Sequence, residues 1–211
     1  MSEHVWVSDM LGNEPSLGVF ASTNMTREQA IAAVQRNKDG QPVSPDLCPT
    51  RIWADSGVED YEIAFEARNP DPDLFFASSY WIVSERAADI LRRFDLGDGG
   101  LYPVSEGVFK RDNETRLPKE YFCWIFGNKK SAFLSQMSRN VRAPKIEGLW
   151  WNMPWTPADD DVAVSDQALR GPDVWLDKML FKSVFLSGPL GDELDAAGLR
   201  EAFRLFKCRV I

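Results

Sequence analysis

The residues of this chain that could do chemistry are few and scattered. His4 is the only histidine. A Ser-His-Asp triad could therefore form only through a position near the start of the sequence, and a His-rich metal site could not form at all. A lone histidine in such a place is usually just exposed. Asp159, Asp160 and Asp161 are consecutive carboxylates that could hold a divalent cation. Without an Asp-x-Asp-x-Asp-Gly loop the better reading is a solvated acidic turn, the ordinary fate of a charge run. Any two of the 32 acids could converge as general acid and base, but nothing in their spacing selects a pair.

Glycines and cysteines add little. Gly97-Asp98-Gly99-Gly100 follows a helical pattern, whereas a phosphate-cradling loop follows a strand and opens a helix. Gly188-Pro189-Leu190-Gly191 does lie between a strand and a helix, but it lacks both the Lys-Ser/Thr of a P-loop and the GxGxxG spacing. Cys48, Cys123 and Cys208 are odd in number, far apart and without a CxxC, which argues against a disulfide framework and suits a reducing compartment. No catalytic constellation emerges. The expectation is a protein that is not an enzyme and takes no metal or cofactor.

The elements that must position these residues are organised around a stretch that occurs twice. Trp81-Ile82-Val83 is a β-forming run ending at Ser84. Ser84 can cap a helix in which Ala87, Ile90, Leu91 and Phe94 form one apolar stripe. Glycines then turn the chain into Leu101-Tyr102-Pro103-Val104. The second copy runs Ser183 to Ser187, then a helix from Gly188 with Pro189 in its first turn, then Phe203 to Val210. Leu190, Leu194 and Ala197 give its stripe, and Gly198 its stop. Both helices are too short to stand alone and must pack on a sheet.

Elsewhere His4 to Ser8, Leu17 to Ala21, Arg51 to Ala54, Glu62 to Phe65 and residues 162–170 read as strands. Thr26 and Gln29 form a capping box for a helix that reaches about Arg36 and is stopped by Asn37-Lys38-Asp39-Gly40. Asn69-Pro70-Asp71-Pro72-Asp73 reads as a turn, and 110–119 as a surface loop or hairpin tip. Tyr121 to Phe126, apolar on both faces, reads as a central strand. Ser131 to Arg142 fits either a short helix or an extended segment. The fold class is α+β: a mixed, largely antiparallel sheet with short helices packed on it, containing two strand-helix-strand units. A single domain over 1–211 is expected, with a possible N-terminal subdomain at 1–75.

The apolar fraction of 44% suffices for a core, and the net charge of −8 argues against nucleic acid and anionic membranes as partners. No basic segment followed by an apolar run occurs from Met1 to Met10. No stretch approaches the roughly 20 apolar residues of a transmembrane helix, so a cytoplasmic location is expected. Eight tryptophans serve either core packing or an aromatic interface.

The order Ile82 to Leu96, Leu101 to Val104, Tyr121 to Phe126, Asp173 to Asp177 and Val184 to Val210 resembles a group of bacterial proteins. These are the predicted immunity proteins of polymorphic toxin systems, immunity family eleven, formerly a domain of unknown function. The resemblance covers roughly the C-terminal two-thirds of the chain, and its motifs are strands, caps and helix faces. It implies a protein that binds a cognate protein toxin and neutralises it by steric occlusion. An acidic inhibitor would be steered to a basic toxin cleft. Trp150, Trp151 and Trp155 with Asp159, Asp160 and Asp161 are the candidate contact residues, because aromatic anchors there adjoin acids in a Pro-punctuated segment. The alternative is a small-molecule-binding domain or an enzyme using carboxylates.

Overall fold

In a computed structural model the described residues are 4–12, 19–22, 25–54, 72–77, 79–110, 112–146 and 148–211. The strand expected at Glu62 to Phe65 and most of the turn expected from Asn69 lie outside them. The elements run β1 (Val5–Ser8), β2 (Val19–Ser22), α1 (Arg27–Lys38), β3 (Arg51–Ala54), β4 (Leu74–Ala77), β5 (Tyr80–Ser84) and α2 (Glu85–Leu91). Next come β6 (Gly100–Pro103), β7 (Gly107–Phe109), β8 (Tyr121–Ile125), β9 (Lys129–Lys130), β10 (Trp151–Asn152) and β11 (Ala163–Val164). The chain closes with β12 (Val174–Asp177), β13 (Leu180–Phe181), β14 (Val184–Ser187), α3 (Gly188–Ala196) and β15 (Leu205–Val210).

This is an α+β fold in which antiparallel pairing dominates. One sheet has the order β4-β5-β8-β6; a second runs β11-β15-β1-β14-β12-β9. Their central four strands share one plan. β5 is hydrogen-bonded to β4 and β8, and β6 joins β8 on its far side, all antiparallel. β14 is likewise bonded to β12 and β1, and β15 joins β1 on its far side. Following the register from Ser84 onto Ser187 aligns Tyr121 with Val5, Trp124 with Ser8, and Leu101 with Leu205. The duplication thus begins a strand earlier than the sequence pattern suggests, at Pro72-Asp73-Leu74 and Pro172-Asp173-Val174. The N–H of Ser84 donates to Asp73 O at 3.0 Å, and that of Ser187 to Asp173 O at 2.9 Å.

Both expected caps form. Ser84 Oγ accepts from Ala87 N at 3.3 Å and Ser187 Oγ from Leu190 N at 3.4 Å, satisfying an N–H that the first turn leaves unpaired. The capping box at Thr26 and Gln29 is also present. Two expected ends differ. α2 stops at Leu91, and Phe94 lies beyond it while still packing on the core. α1 runs through Asn37, whose buried amide donates to Trp124 O and accepts from Phe126 N. Asn37 is thus a lock on the end of β8. Ser131 to Arg142 is mainly turns and loop, with short bridges only at Phe133 and Arg142.

Strand residues alternate between faces, and here both faces are covered. Trp81, Val83, Trp124, Val174, Val184 and Leu186 point into a central core that also takes Ala87 and Leu91 of α2 and Leu190 and Leu194 of α3. Behind the first sheet, Tyr80, Ile82, Cys123 and Ile125 pack with Ala33 of α1, Ile52 and Val108. Behind the second, Val5, Val7, Trp175, Phe185 and Cys208 pack with Ala132, Met153, Val162 and Val164. β1 lies within 1–75 yet is a strand of the second sheet. Asn128 stitches the halves together: its Nδ2 donates to Leu96, Phe126 and Val174 carbonyls at 2.7–2.9 Å, and its Oδ1 accepts from Asp98 N. Gly97 has a positive φ and faces that same side chain, so a Cβ there would collide with it. Among the described residues no helix is long and apolar enough to cross a membrane.

Candidate interaction face

The segment carrying the three candidate tryptophans is held by short β pairing. β10 runs parallel to β13, with Trp151 opposite Leu180 and Asn152 opposite Phe181, and Trp151 N donates to Met179 O at 2.8 Å. Arg142 and Asn152 exchange both backbone bonds. Alternation along this strand turns Trp151 inward, where it packs on the third core beside Phe133. Trp150 turns outward. It is half exposed and stacks on Phe181, with ring centroids 5.4 Å apart and planes at 24°.

Trp155 is 84% exposed. Its one clear support is the Arg142 guanidinium, 3.7 Å above the ring, and Arg142 is itself fixed by donation from Nε to Met153 O at 2.7 Å. Ile146, Leu149, Met179 and Phe181 are also substantially exposed. An apolar collection of this kind is what interaction sites on soluble proteins present. Phe181 and Met179 were not among the sequence candidates. The only signal for them was a hairpin too long for its strands, between Asp177 and Val184.

The acidic run serves the framework. Asp159 accepts from Arg200 Nη2 with both oxygens, at 2.7 and 2.8 Å, and from Lys207 N at 2.8 Å. Partial burial opposes its ionisation, but these donors hold its carboxyl below the ordinary range. Asp160 adopts a positive φ, its N–H donates to Lys207 O, and its carbonyl accepts from Arg209 Nε. Asp161 is buried and accepts from Asn140 Nδ2 at 2.8 Å and Ala158 N at 2.9 Å. The three acids thus fasten the loop before β11 to β15. Trp150 and Trp155 are brought together through Phe181, which borders the depression beside each of them.

The other sequence candidates also find structural partners. His4 is half-buried rather than simply exposed: its Nε2 lies 2.8 Å from Asp192 Oδ1, which also accepts from Trp6 Nε1 at 3.1 Å. Gly188 and Gly191 belong to the first turns of α3, and Gly191 sits directly against the Trp6 indole. All three cysteines are free and buried. Among the described residues no three His, Cys, Asp or Glu side chains gather at a spacing suited to a metal ion. The carboxylates with displaced pKa values, Glu28, Asp112 and Asp159, are all displaced downward by hydrogen bonds. They are anions fixed in place rather than groups poised to give up a proton near neutrality.

A cleft of about 310 Å³ opens beside Trp150, between the end of α1 and the β12–β14 connection. Its apolar walls include Leu11, Trp81, Leu176 and Leu180, and Lys38, Lys129, Lys178 and Lys182 stand around it. A second depression of about 270 Å³ lies on the other side of Phe181 and Lys182, lined by Trp155, Arg142 and Pro154. Against known proteins, no family model, no curated protein and no solved structure matches the chain.

Proposed function

We propose that this protein is an immunity-type inhibitor, akin to immunity family eleven of polymorphic toxin systems, that binds a cognate bacterial toxin and neutralises it by covering its working surface. The observation that carries the reading is the outward-facing set Trp150, Phe181 and Trp155 on a framework whose sheets are packed on both faces. Large aromatic side chains presented by a rigid support are the usual anchors of tight protein complexes, because they bury much area at little cost in conformational entropy. Buried, unpaired thiols fit a protein that meets its target in the reducing cytoplasm. Trp151 ties this face to the core through its packing beside Phe133.

The test uses the toxin domain encoded beside this chain, in calorimetry and in an assay of toxin activity. A stoichiometric complex and loss of toxin activity are expected. Trp155→Ala should weaken the complex by about 2 kcal/mol or more, the scale of a hot-spot residue. Absence of any complex at micromolar concentrations sinks the reading. The 310 Å³ cleft favours a second reading, a small-molecule binder. It predicts a ligand that shifts Trp150 fluorescence and is left untouched by Trp155→Ala.

A further inference from the structure

The chain is acidic overall, with a net charge of −8, yet the surroundings of the aromatic face are basic. Four lysines ring the cleft beside Trp150, and Arg142 stands over Trp155 in the neighbouring depression. The acids bordering the cleft are already engaged. Asp177 is buried: its Oδ2 accepts from Ala132 N at 2.7 Å and Phe133 N at 2.9 Å, and its Oδ1 from Met179 N at 2.8 Å. Asp39 Oδ2 accepts from Gln35 Nε2 at 3.0 Å. Those carboxylates keep their charge, but the four lysines outnumber the two acids in the lining, and the sign at the cleft is positive.

The two depressions adjoin at Phe181 and Lys182, with Trp150 bordering one and Trp155 the other, so they form two neighbouring halves of one grooved face. We infer that this groove takes an extended acidic segment of the partner polypeptide, with one apolar side chain seated beside Trp150, a second beside Trp155, and carboxylates between and around them facing the lysines. Two apolar seats in series suit a chain better than a compact ligand, which would fill one seat only. The charge argues the same way: an anionic segment meets four lysines against two carboxylates in the cleft beside Trp150. This inference rests on the proposal that the protein is a toxin inhibitor and specifies what part of the toxin it holds. It reverses the polarity expected from net charge, under which the inhibitor's acids enter a basic cleft.

The probe is a displayed library of random twelve-residue peptides selected against the intact protein, followed by binding of the enriched peptides in solution. Enriched peptides should carry two apolar or aromatic residues set among Asp and Glu. Their affinity should fall at least roughly tenfold in Trp150→Ala, as for an anchor residue. In Lys129→Glu/Lys178→Glu, which changes exposed side chains only, association at low salt should slow by roughly tenfold and lose its salt dependence. The same charge-reversed variant is then tested against the neighbouring toxin domain. If the toxin binds the wild type and the variant equally fast, and peptides do not compete, the groove assignment fails while the inhibitor reading stands. If acidic peptides bind as described but no toxin does, the inhibitor reading fails while the groove assignment stands. Enrichment of basic peptides, or saturation of Trp150 fluorescence by AMP with no peptide enriched, overturns the assignment.

Discussion

The two repeated units share a strand plan and a pair of serine caps, and three of their differences concern the strands. The first is how the unit is joined. β4 and β5 are linked by residues 78 and 79, whereas the β12–β14 connection is long enough to carry β13 with Met179 and Phe181. Phe181 and Met179 of the exposed aromatic face therefore sit on residues that one copy has and the other lacks, and Trp150 and Trp155 lie on the segment between the two copies. The repeated residues build the core, and the extra ones present the surface, which is how sites are commonly added to a fold. The second is the acid before the strand. Asp73 accepts from Ser84 Oγ within its own unit, while Asp173 accepts from Asp95 N of the other unit at 2.7 Å. The third is size. Trp81 and Trp124 face each other across one pair of strands where Val184 and Ser8 stand in the other. Large and small pairs meet in the same central core, and Phe203 fills the space the small pair leaves, against the Trp124 ring at 5.8 Å and with its carbonyl bonded to Ser8 Oγ.

If the large pair of the first unit is complementary to the small pair of the second, emptying it should be the costliest change. Trp124→Ala is expected to lower stability by about 3–5 kcal/mol in denaturant unfolding. A loss below about 1 kcal/mol would show that the units do not interlock. The helices offer a sharper contrast. Gly191 in α3 corresponds to Ala88 in α2, but the Trp6 indole occupies the place where a Cβ would go. Gly191→Ala should therefore destabilise by about 1–3 kcal/mol from overpacking, although alanine favours helix. The double variant with Trp6→Phe should recover part of this, and stabilisation by the single change would contradict the close approach.

The caps should rank by their surroundings. Ser84 is buried and also bonds Asp73, while Ser187 is partly exposed. Ser84→Ala is expected to cost about 1–2 kcal/mol and Ser187→Ala about 1 kcal/mol or less. Equal losses would mean that the Asp73 bond adds nothing. The smallest effect concerns the back of the second sheet, where Lys130 lies over the Trp175 ring and donates to Pro172 O. Burial pushes its ammonium down to about 8, against the pull of Asp173 and Asp95. The folded value lies below the unfolded one, so between about pH 8 and pH 10 the folded chain binds fewer protons and this group makes stability rise with pH. Melting curves of wild type and Lys130→Met should diverge in the wild type's favour over that window. Parallel curves would dismiss the effect.

Local patterns were readable where local physics decides. The serine caps, the Thr26–Gln29 box and β8 as a doubly buried strand all follow from side-chain chemistry within a few residues, whereas the α+β class follows from the order of elements along the chain. β4 was missed because Leu74 to Ala77 is short, uniformly apolar and preceded by prolines, so neither alternation nor length marks it. The pairing of β1 with β14 and β15 has no local signature at all. Of the candidate site, Trp150 and Trp155 were legible as aromatic residues in a Pro-rich segment. The inward turn of Trp151 is fixed by pairing with a distant strand. The occupation of Asp159 to Asp161 is fixed by Arg200, Lys207 and Arg209, which approach only after β15 is in place. Charge runs read alone look solvated, and their partners become visible only once topology is known.

The placement of β1 has a consequence for how the molecule is made. On the ribosome the first sheet can close as soon as β8 emerges, since all four of its strands are then outside the tunnel. β1 leaves well before either of its partners and must wait, unpaired, until β14 and β15 arrive to flank it. Val5, Trp6 and Val7 then spend that interval as a bare sticky edge, so slowing elongation anywhere between β1 and β14 should favour misassociation of nascent chains, whereas slowing it after β15 has emerged should not.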